Sequence, residues 1–318
     1  MENFDVVALG ELLIDFTAGG VSDQGNPLFE ANPGGAPCNV LSMLCKLGRK
    51  TAFIGKVGED MFGRQLKEVA EGVGISMQAL VTTQKANTTL AFVQTLAGGE
   101  RDFSFYRRPG ADMLLEPADI PEALISASKI FHFGSLSLTH EPARSATQKA
   151  IAVAKAAGAI LSFDPNLRPP LWDDMEQAKE QIAWGLSQCH VLKIADNELI
   201  FMTNETDFDK GAAMLREQYP NIKLLCVTLG PDGSRAYYGD EIVPGPPIGE
   251  DNIIEKTGAG DTFCACVLNF VLEHGLDDLS KEKLTHMLRF ANAASYLVTT
   301  RKGAIRSMPE REQVQALL

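Results

Sequence analysis

The sequence predicts an α/β fold with a mostly parallel central sheet, covered on both faces by helices, and a small β-sheet standing off it. Three observations predict this. Short apolar, β-rich runs alternate with helical patterns from one end to the other, and such alternation builds parallel sheets wrapped by crossover helices. The 318 residues, 45% hydrophobic and 22% charged, are enough to bury a full core without staples. One stretch breaks the alternation with the pattern of a hairpin.

The first strand is read at Asp5–Gly10. Pro37 suits a first helical turn, and Val40, Leu41, Leu44 and Leu47 follow on one face until Gly48 stops the helix. Thr51–Lys56 reads as a strand, and Phe62, Leu66, Val69, Ala70 and Val73 recur at helical spacing. Thr88–Thr95, Gly98-Gly99 and Arg101–Arg107 read as the hairpin, which with Leu12–Phe16 makes the small sheet. Further strands are expected at Ile130–Phe133, Ala159–Phe163, Val191–Ile194 and Leu224–Thr228. Helices fall around 142–157, 173–185, 208–218, 261–274 and 281–299. With no linker or repeat, 1–318 is expected to be one domain with a discontinuous small sheet from about 12–33 and 86–110, whose two plausible jobs are covering a ligand and dimerising.

Charge excludes some functions. A net charge of −12 without a basic stripe argues against nucleic acid. No apolar run is long enough to cross a membrane and no signal-type segment opens the chain, so a cytoplasmic protein is expected. The six cysteines form no Cys-x-x-Cys pair and the histidines do not cluster with them, so zinc is not expected. Cys264 and Cys266 read as helix packing residues. The P-loop, the dinucleotide fingerprint and the serine-hydrolase elbow are all missing from the sequence.

The most informative segment is Thr257-Gly-Ala-Gly-Asp261, which opens an apolar helix. Small residues let a polyphosphate approach the backbone, and the N–H groups and dipole of a helix start favour an anion. Asp261 there can accept the proton of an attacking hydroxyl, since phosphoryl transfer asks for positioning and a late acceptor. A helix start is expected to favour its ionised form. The plainer reading is a turn capped by an acid.

Other candidates stand at predicted strand ends, where doubly wound sheets bind ligands. Thr228, Gly230 and Gly233 follow one strand, although Gly-Pro-Asp-Gly is also an ordinary turn. Arg168, in Asp164-Pro-Asn-Leu-Arg168, can neutralise a transferring phosphoryl group or make a surface ion pair. Asp196 and Glu198 can hold magnesium through water or simply decorate a helix start. Near the N-terminus, Asp15, Gly34, Gly35 and Asn39 offer the mixture of donors and acceptors that suits a polyhydroxyl ligand. For Asp15 a solvated strand end is the plain alternative.

Taken in order along nearly the whole chain, these segments resemble the PfkB (ribokinase-like) carbohydrate kinases, and within them the fructokinase branch. The resemblance also rests on Phe53-Ile-Gly-Lys-Val-Gly-Glu-Asp60, Phe105-Tyr-Arg-Arg-Pro-Gly-Ala-Asp112, Phe131-His-Phe-Gly-Ser135 and Lys302-Gly-Ala304. It implies a ribokinase-like three-layer αβα sandwich with a β lid, transferring the γ-phosphoryl of ATP to a sugar hydroxyl, the 6-hydroxyl of fructose in this branch. It implies Asp261 as base, Gly258, Ala259 and Gly260 as anion hole, and Arg168 against sugar or phosphate. The sugar side would comprise Asp15, Gly34, Gly35 and Asn39, with Phe105 and Arg107 from the lid. The nucleotide side would comprise Lys193, Thr228, Gly230, Gly233 and Asn292. Glu198 matches a position associated with Mg2+.

Two departures stand out. Glu255-Lys256 replaces the family's usual Asp-Thr, so K+ is expected only if Glu255 ligates it with Gly303 and Ser307; Ala195 replaces the Asn of the family's Asn-x-x-Glu. Lid-mediated homodimers are common among such relatives. Related kinases of 2-keto-3-deoxygluconate, ribose or aminoimidazole riboside share much of the pattern, and a non-catalytic sugar-binding homologue is a remoter alternative.

Overall fold

The computed structural model describes residues 3–95, 101–249 and 251–318, so Gly98-Gly99 lies outside the described residues. The described residues form thirteen strands: β1 Phe4–Leu9, β2 Leu13–Val21, β3 Pro27–Gly34, β4 Thr51–Gly58, β5 Ile75–Thr83, β6 Leu90–Thr95, β7 Arg101–Tyr106, β8 Ser128–Gly134, β9 Ile160–Asp164, β10 Val191–Ala195, β11 Leu224–Thr228, β12 Ser234–Tyr238 and β13 Glu241–Gly245. Nine of them form one sheet in the order β13-β12-β11-β10-β9-β8-β1-β4-β5. Pairing is parallel from β5 across to β11, and β12 is the reversed strand, antiparallel to both β11 and β13.

Alternate residues of each strand feed two cores. On β1, Val6 and Ala8 face the core built with the helices Ala36–Lys46, Ala259–His274 and Lys281–Thr299. Val7 and Leu9 face the other, built with Ala143–Ala156, Met175–Leu186 and Phe208–Gln218. Near-continuous apolar strands are what such double coverage requires.

The second sheet has the order β3-β2-β6-β7 and comprises the segments expected to form the lid. Its strand β2 runs on to Val21, beyond the expected Leu12–Phe16, and β3 ends at Gly34, one of the sugar-site candidates. Register fixes its two faces. Asp15 is paired with Asn32 and Ala91, and Ala91 with Phe105, so these four share one face. The opposite face carries a chain of aromatic contacts from Phe29 through Phe92 to Tyr106, with Phe16 stacked on Phe92 and edge-on to Phe62 of the body.

Candidate active site

Asp164, Ala195 and Thr228 end β9, β10 and β11 side by side. Above that rim begins the helix Ala259–His274. Its cap Gly258 has φ +81, and a Cβ there would stand 2.9 Å from Ala304 Cβ, so glycine is required. Asp261 sits in the first turn, 8% exposed, and its Oδ2 accepts from Asn39 Nδ2 at 2.7 Å. The other amide atom, Asn39 Oδ1, is buried without a hydrogen-bond partner, an open acceptor beside Asp261.

Burial pushes the Asp261 carboxyl up to about 6, and nearby Asp164 pushes the same way. The Asn39 hydrogen bond, Lys193 and Arg168 oppose the rise without cancelling it. The expectation that the helix start would favour ionisation is therefore corrected: desolvation outweighs the dipole. A base of this affinity still holds mostly negative charge at neutral pH and is a better proton acceptor than an exposed aspartate.

Lys193, 5% exposed, lies 3.1 Å from Asp164 Oδ2, and a Cβ on Gly260 would come within 3.0 Å of its Nζ. The ammonium thus stands beside the helix start. Its proton affinity is raised because Asp164, Glu198 and Asp261 surround it, against the effect of burial. Arg168 is half-buried and donates to the carbonyls of Asn166 and Leu167.

Glu198 and Asp196 part company. Glu198 is buried, accepting from Leu167 N–H at 2.7 Å and Ala195 N–H at 2.8 Å, whereas Asp196 accepts from its neighbour Asn197. Glu198 therefore fastens the Arg168 loop to β10. Asp164, quoted from sequence but given no role, proves to be the buried counter-charge of Lys193; its place at a strand end was the available signal.

On the sugar side, Gly34 lies directly under Asp15, since a Cβ would fall 2.5 Å from its Oδ2. Phe105 and Arg107 line a separate cavity of about 460 Å³ with Arg108, His140 and Leu171. Arg107 is 4% exposed and already donates to Asp112, Thr139 Oγ1 and the Leu136 carbonyl, so it braces the lid base.

A nucleotide-sized cavity of about 310 Å³ is lined by Thr228, Gly230, Gly233, Lys256, Gly260 and Asn292, together with Ile253 and Tyr296, which the sequence did not single out. The Asn292 amide is spent on Ser234 and the Gly245 and Pro246 carbonyls, so it shapes the wall and leaves no group for a base. Glu255 accepts from Thr257 Oγ1 and Gly303 N–H, at 2.6 and 3.0 Å, while the Ser307 hydroxyl donates to the Lys302 carbonyl. Glu255 and Gly303 thus meet, and Ser307 is engaged elsewhere.

A buried carboxylate at a glycine-rich helix start, with a cation beside it, fits a phosphotransferase acting on an alcohol. The model of the pfkB family carbohydrate kinases matches residues 3–311, and the chain belongs to that family. It is 43% identical to probable fructokinase-4 of Arabidopsis thaliana, over 98% of this chain and 96% of that one. Fructokinase-2 of Solanum lycopersicum is 42% identical over 98% and 95%. Among solved structures, fructokinase with bound ATP from Xylella fastidiosa superposes with a TM-score of 0.89 at 33% identity, covering 98% and 97%. Fructokinase from Vibrio cholerae bound to fructose, ADP and calcium gives 0.88 at 29% identity, covering both chains fully at 100%. No helix among the described residues is long and apolar enough to cross a membrane.

Proposed function

We propose that the protein is an ATP-dependent fructokinase that phosphorylates the 6-hydroxyl of D-fructose. The observation that carries the reading is the Asn39–Asp261 hydrogen bond, which ties the sugar-side helix to the base at the phosphate-side helix. The similarity to plant and bacterial fructokinases supports fructose as the acceptor.

In this reading Asp15, Gly34, Gly35 and Asn39 hold the sugar with its 6-hydroxyl turned to Asp261, and Phe105 closes the wall. As the new O–P bond forms, the hydroxyl proton passes to Asp261 and ADP leaves with the broken bond's electrons. Lys193, Arg168 and the N–H groups from Gly258 to Gly260 balance the transferring charge.

ATP lies along Thr228, Gly230 and Gly233 against the wall that Asn292 shapes. No group of three or more potential ligand side chains forms a cage among the described residues, so Mg2+ would be held chiefly by the nucleotide rather than by the protein. Asp164 Oδ2, buried without a directed hydrogen bond, and Glu198 are the acids suited to face it through water. When bound, the ion neutralises phosphate charge.

A K+ ion would have to share Glu255 with Thr257 and Gly303. The enzyme acts in the cytoplasm on small molecules alone and pairs through its lid. ADP release with fructose, ribose, 2-keto-3-deoxygluconate and aminoimidazole riboside, with and without K+, tests the assignment. Fructose should give the highest kcat/KM; a different best acceptor overturns it.

A further inference from the structure

The chain crosses between body and lid four times, and buried polar groups tie the crossings together. It leaves β1 through Gly10-Glu11-Leu12 and returns through Gly34-Gly35-Ala36. The two passages touch. A Cβ on Gly35, whose φ is +124, would stand 2.4 Å from the Glu11 carbonyl oxygen. Glu11, 4% exposed, reaches across, and its Oε1 accepts from Ala36 N–H at 2.8 Å. Ala36 opens the helix whose first turns carry Asn39, and Asn39 N–H in turn donates to the Gly35 carbonyl.

The other two crossings meet nearby. Thr89, entering β6, donates its hydroxyl to Asp112 Oδ1, and Arg107, leaving β7 behind, donates Nε to Asp112 Oδ2 at 2.8 Å. Ile14 N–H donates to the Thr89 carbonyl, joining the first crossing to the third. Asp112 and Arg107 both face Glu11, so two acids and one guanidinium share the lid base.

We propose that Glu11 is a positioning residue for sugar binding: its carboxylate locks the Gly34-Gly35 turn and the start of the Asn39 helix to the base of the lid. It touches no reacting atom and acts through the groups that do. Without it the Ala36 N–H loses its acceptor, and the turn under Asp15 loses the strut that fixes its height. A negative acceptor is the favoured partner for a helix start.

Charge state then enters. Burial lifts the Glu11 carboxyl to about 7, Asp112 adds to the rise, and the Ala36 N–H and Arg107 oppose it. The Cys38 thiol, which also faces it, is kept neutral by its own burial. As the ionised form is the stronger acceptor, sugar affinity falls as pH drops through about 7.

The choice of fructose rests on the proposed function, so the experiment uses whichever panel sugar the wild type turns over fastest. KM for sugar and for ATP, and kcat, are measured for wild type, Glu11→Ala and Glu11→Gln from about pH 5.5 to about 9. Glu11→Ala should raise the sugar KM about tenfold with kcat and the ATP KM nearly unchanged. Glu11→Gln keeps an oxygen acceptor and should recover most of that loss at neutral pH. It should also erase the inflection near 7 from the sugar kcat/KM profile, leaving the lower one near 6 that belongs to Asp261. A folded Glu11→Ala with an unchanged sugar KM overturns the proposal, as does an equal loss in all three constants. Should Glu11→Ala not fold, an inflection near 7 that survives in Glu11→Gln overturns it. A wild type without sugar-dependent turnover sinks the kinase reading first, and this role with it.

Discussion

In the proposed reaction Asp261 is the proton acceptor, and the burial that raises its proton affinity also penalises its charge. The base must be ionised to accept a proton, and burial sets its proton affinity near 6. Turnover should therefore fall as pH drops through about 6, read as the acid limb of kcat. Asp261→Asn should cost roughly 10²- to 10⁴-fold in kcat while leaving sugar binding near its wild-type value. The same variant should be the more stable protein. A folded-state affinity raised above the unfolded value gives stability that is present at low pH and lost as pH rises through about 6. The asparagine escapes that loss, so its gain should grow from about pH 4 to about pH 6 and level off near roughly 3 kcal/mol, measured by chemical denaturation. Lys193→Met works the other way on the base. It removes a cation that lowers the Asp261 affinity, so the acid limb should move to higher pH and the ATP KM should rise. Asp164, left buried and unpaired, should also lower stability by about 3 kcal/mol.

At the scale of elements, the start of the helix Ala259–His274 is where backbone geometry becomes chemistry. Its two glycines are needed for different reasons. Gly258 occupies a left-handed φ of +81 against Ala304 Cβ, so Gly258→Ala should cost about 1–2 kcal/mol in strain and reduce kcat by tilting the first turn. Gly260 has no such φ, and a Cβ there would press on Lys193 Nζ at 3.0 Å, a flexible end that can swing away. Gly260→Ala should leave the melting temperature nearly unchanged and raise the ATP KM, which separates fold from phosphate binding in one pair of variants.

This element was legible in sequence because small residues before an apolar run have few other uses. The strand Leu224–Thr228 and the helix Lys281–Thr299 were legible for a similar reason, an uninterrupted apolar or periodic pattern with clear stops. The strand β3 was not, since its first four residues are exposed and carry no alternation. The hairpin of β12 and β13 and the edge strand β5 were also passed over, though Gly239-Asp240 marks the turn of the first. At the site, side-chain types announced Asp261, Arg168 and Asn39. The spent amide of Asn292, the bracing of Arg107 against Thr139 and Leu136, and the pairing of Asp164 with Lys193 depend on contacts between distant segments, which residue spacing does not encode.

For the whole molecule, the lid presents two faces with opposite needs. The inner one carries Asp15 and Asn32, and Asn32 Oδ1 approaches Gly303 closely enough that a Cβ there would lie at 3.1 Å. The outer one is an aromatic strip whose Phe29 and Tyr106 are 46% and 66% exposed, on the same sheet as Val21 at 69%. Contiguous exposed apolar surface on a strand sheet calls for a cover. A second lid laid on the strip by a two-fold axis would supply one, because an isologous contact needs only this single surface. The wild type should then show twice the mass of one chain by light scattering at micromolar concentration. The double variant Phe29→Glu with Tyr106→Glu, which places charge on the strip and leaves Asp15, Asn32 and Phe105 on the far face untouched, should show a single-chain mass. If the lid needs its twin to hold a closed geometry, the sugar KM of that monomer should also rise by about tenfold, while its ATP KM should not. A wild type that stays monomeric across the concentration range would mean that the strip is tolerated bare, and the pairing through the lid would fall.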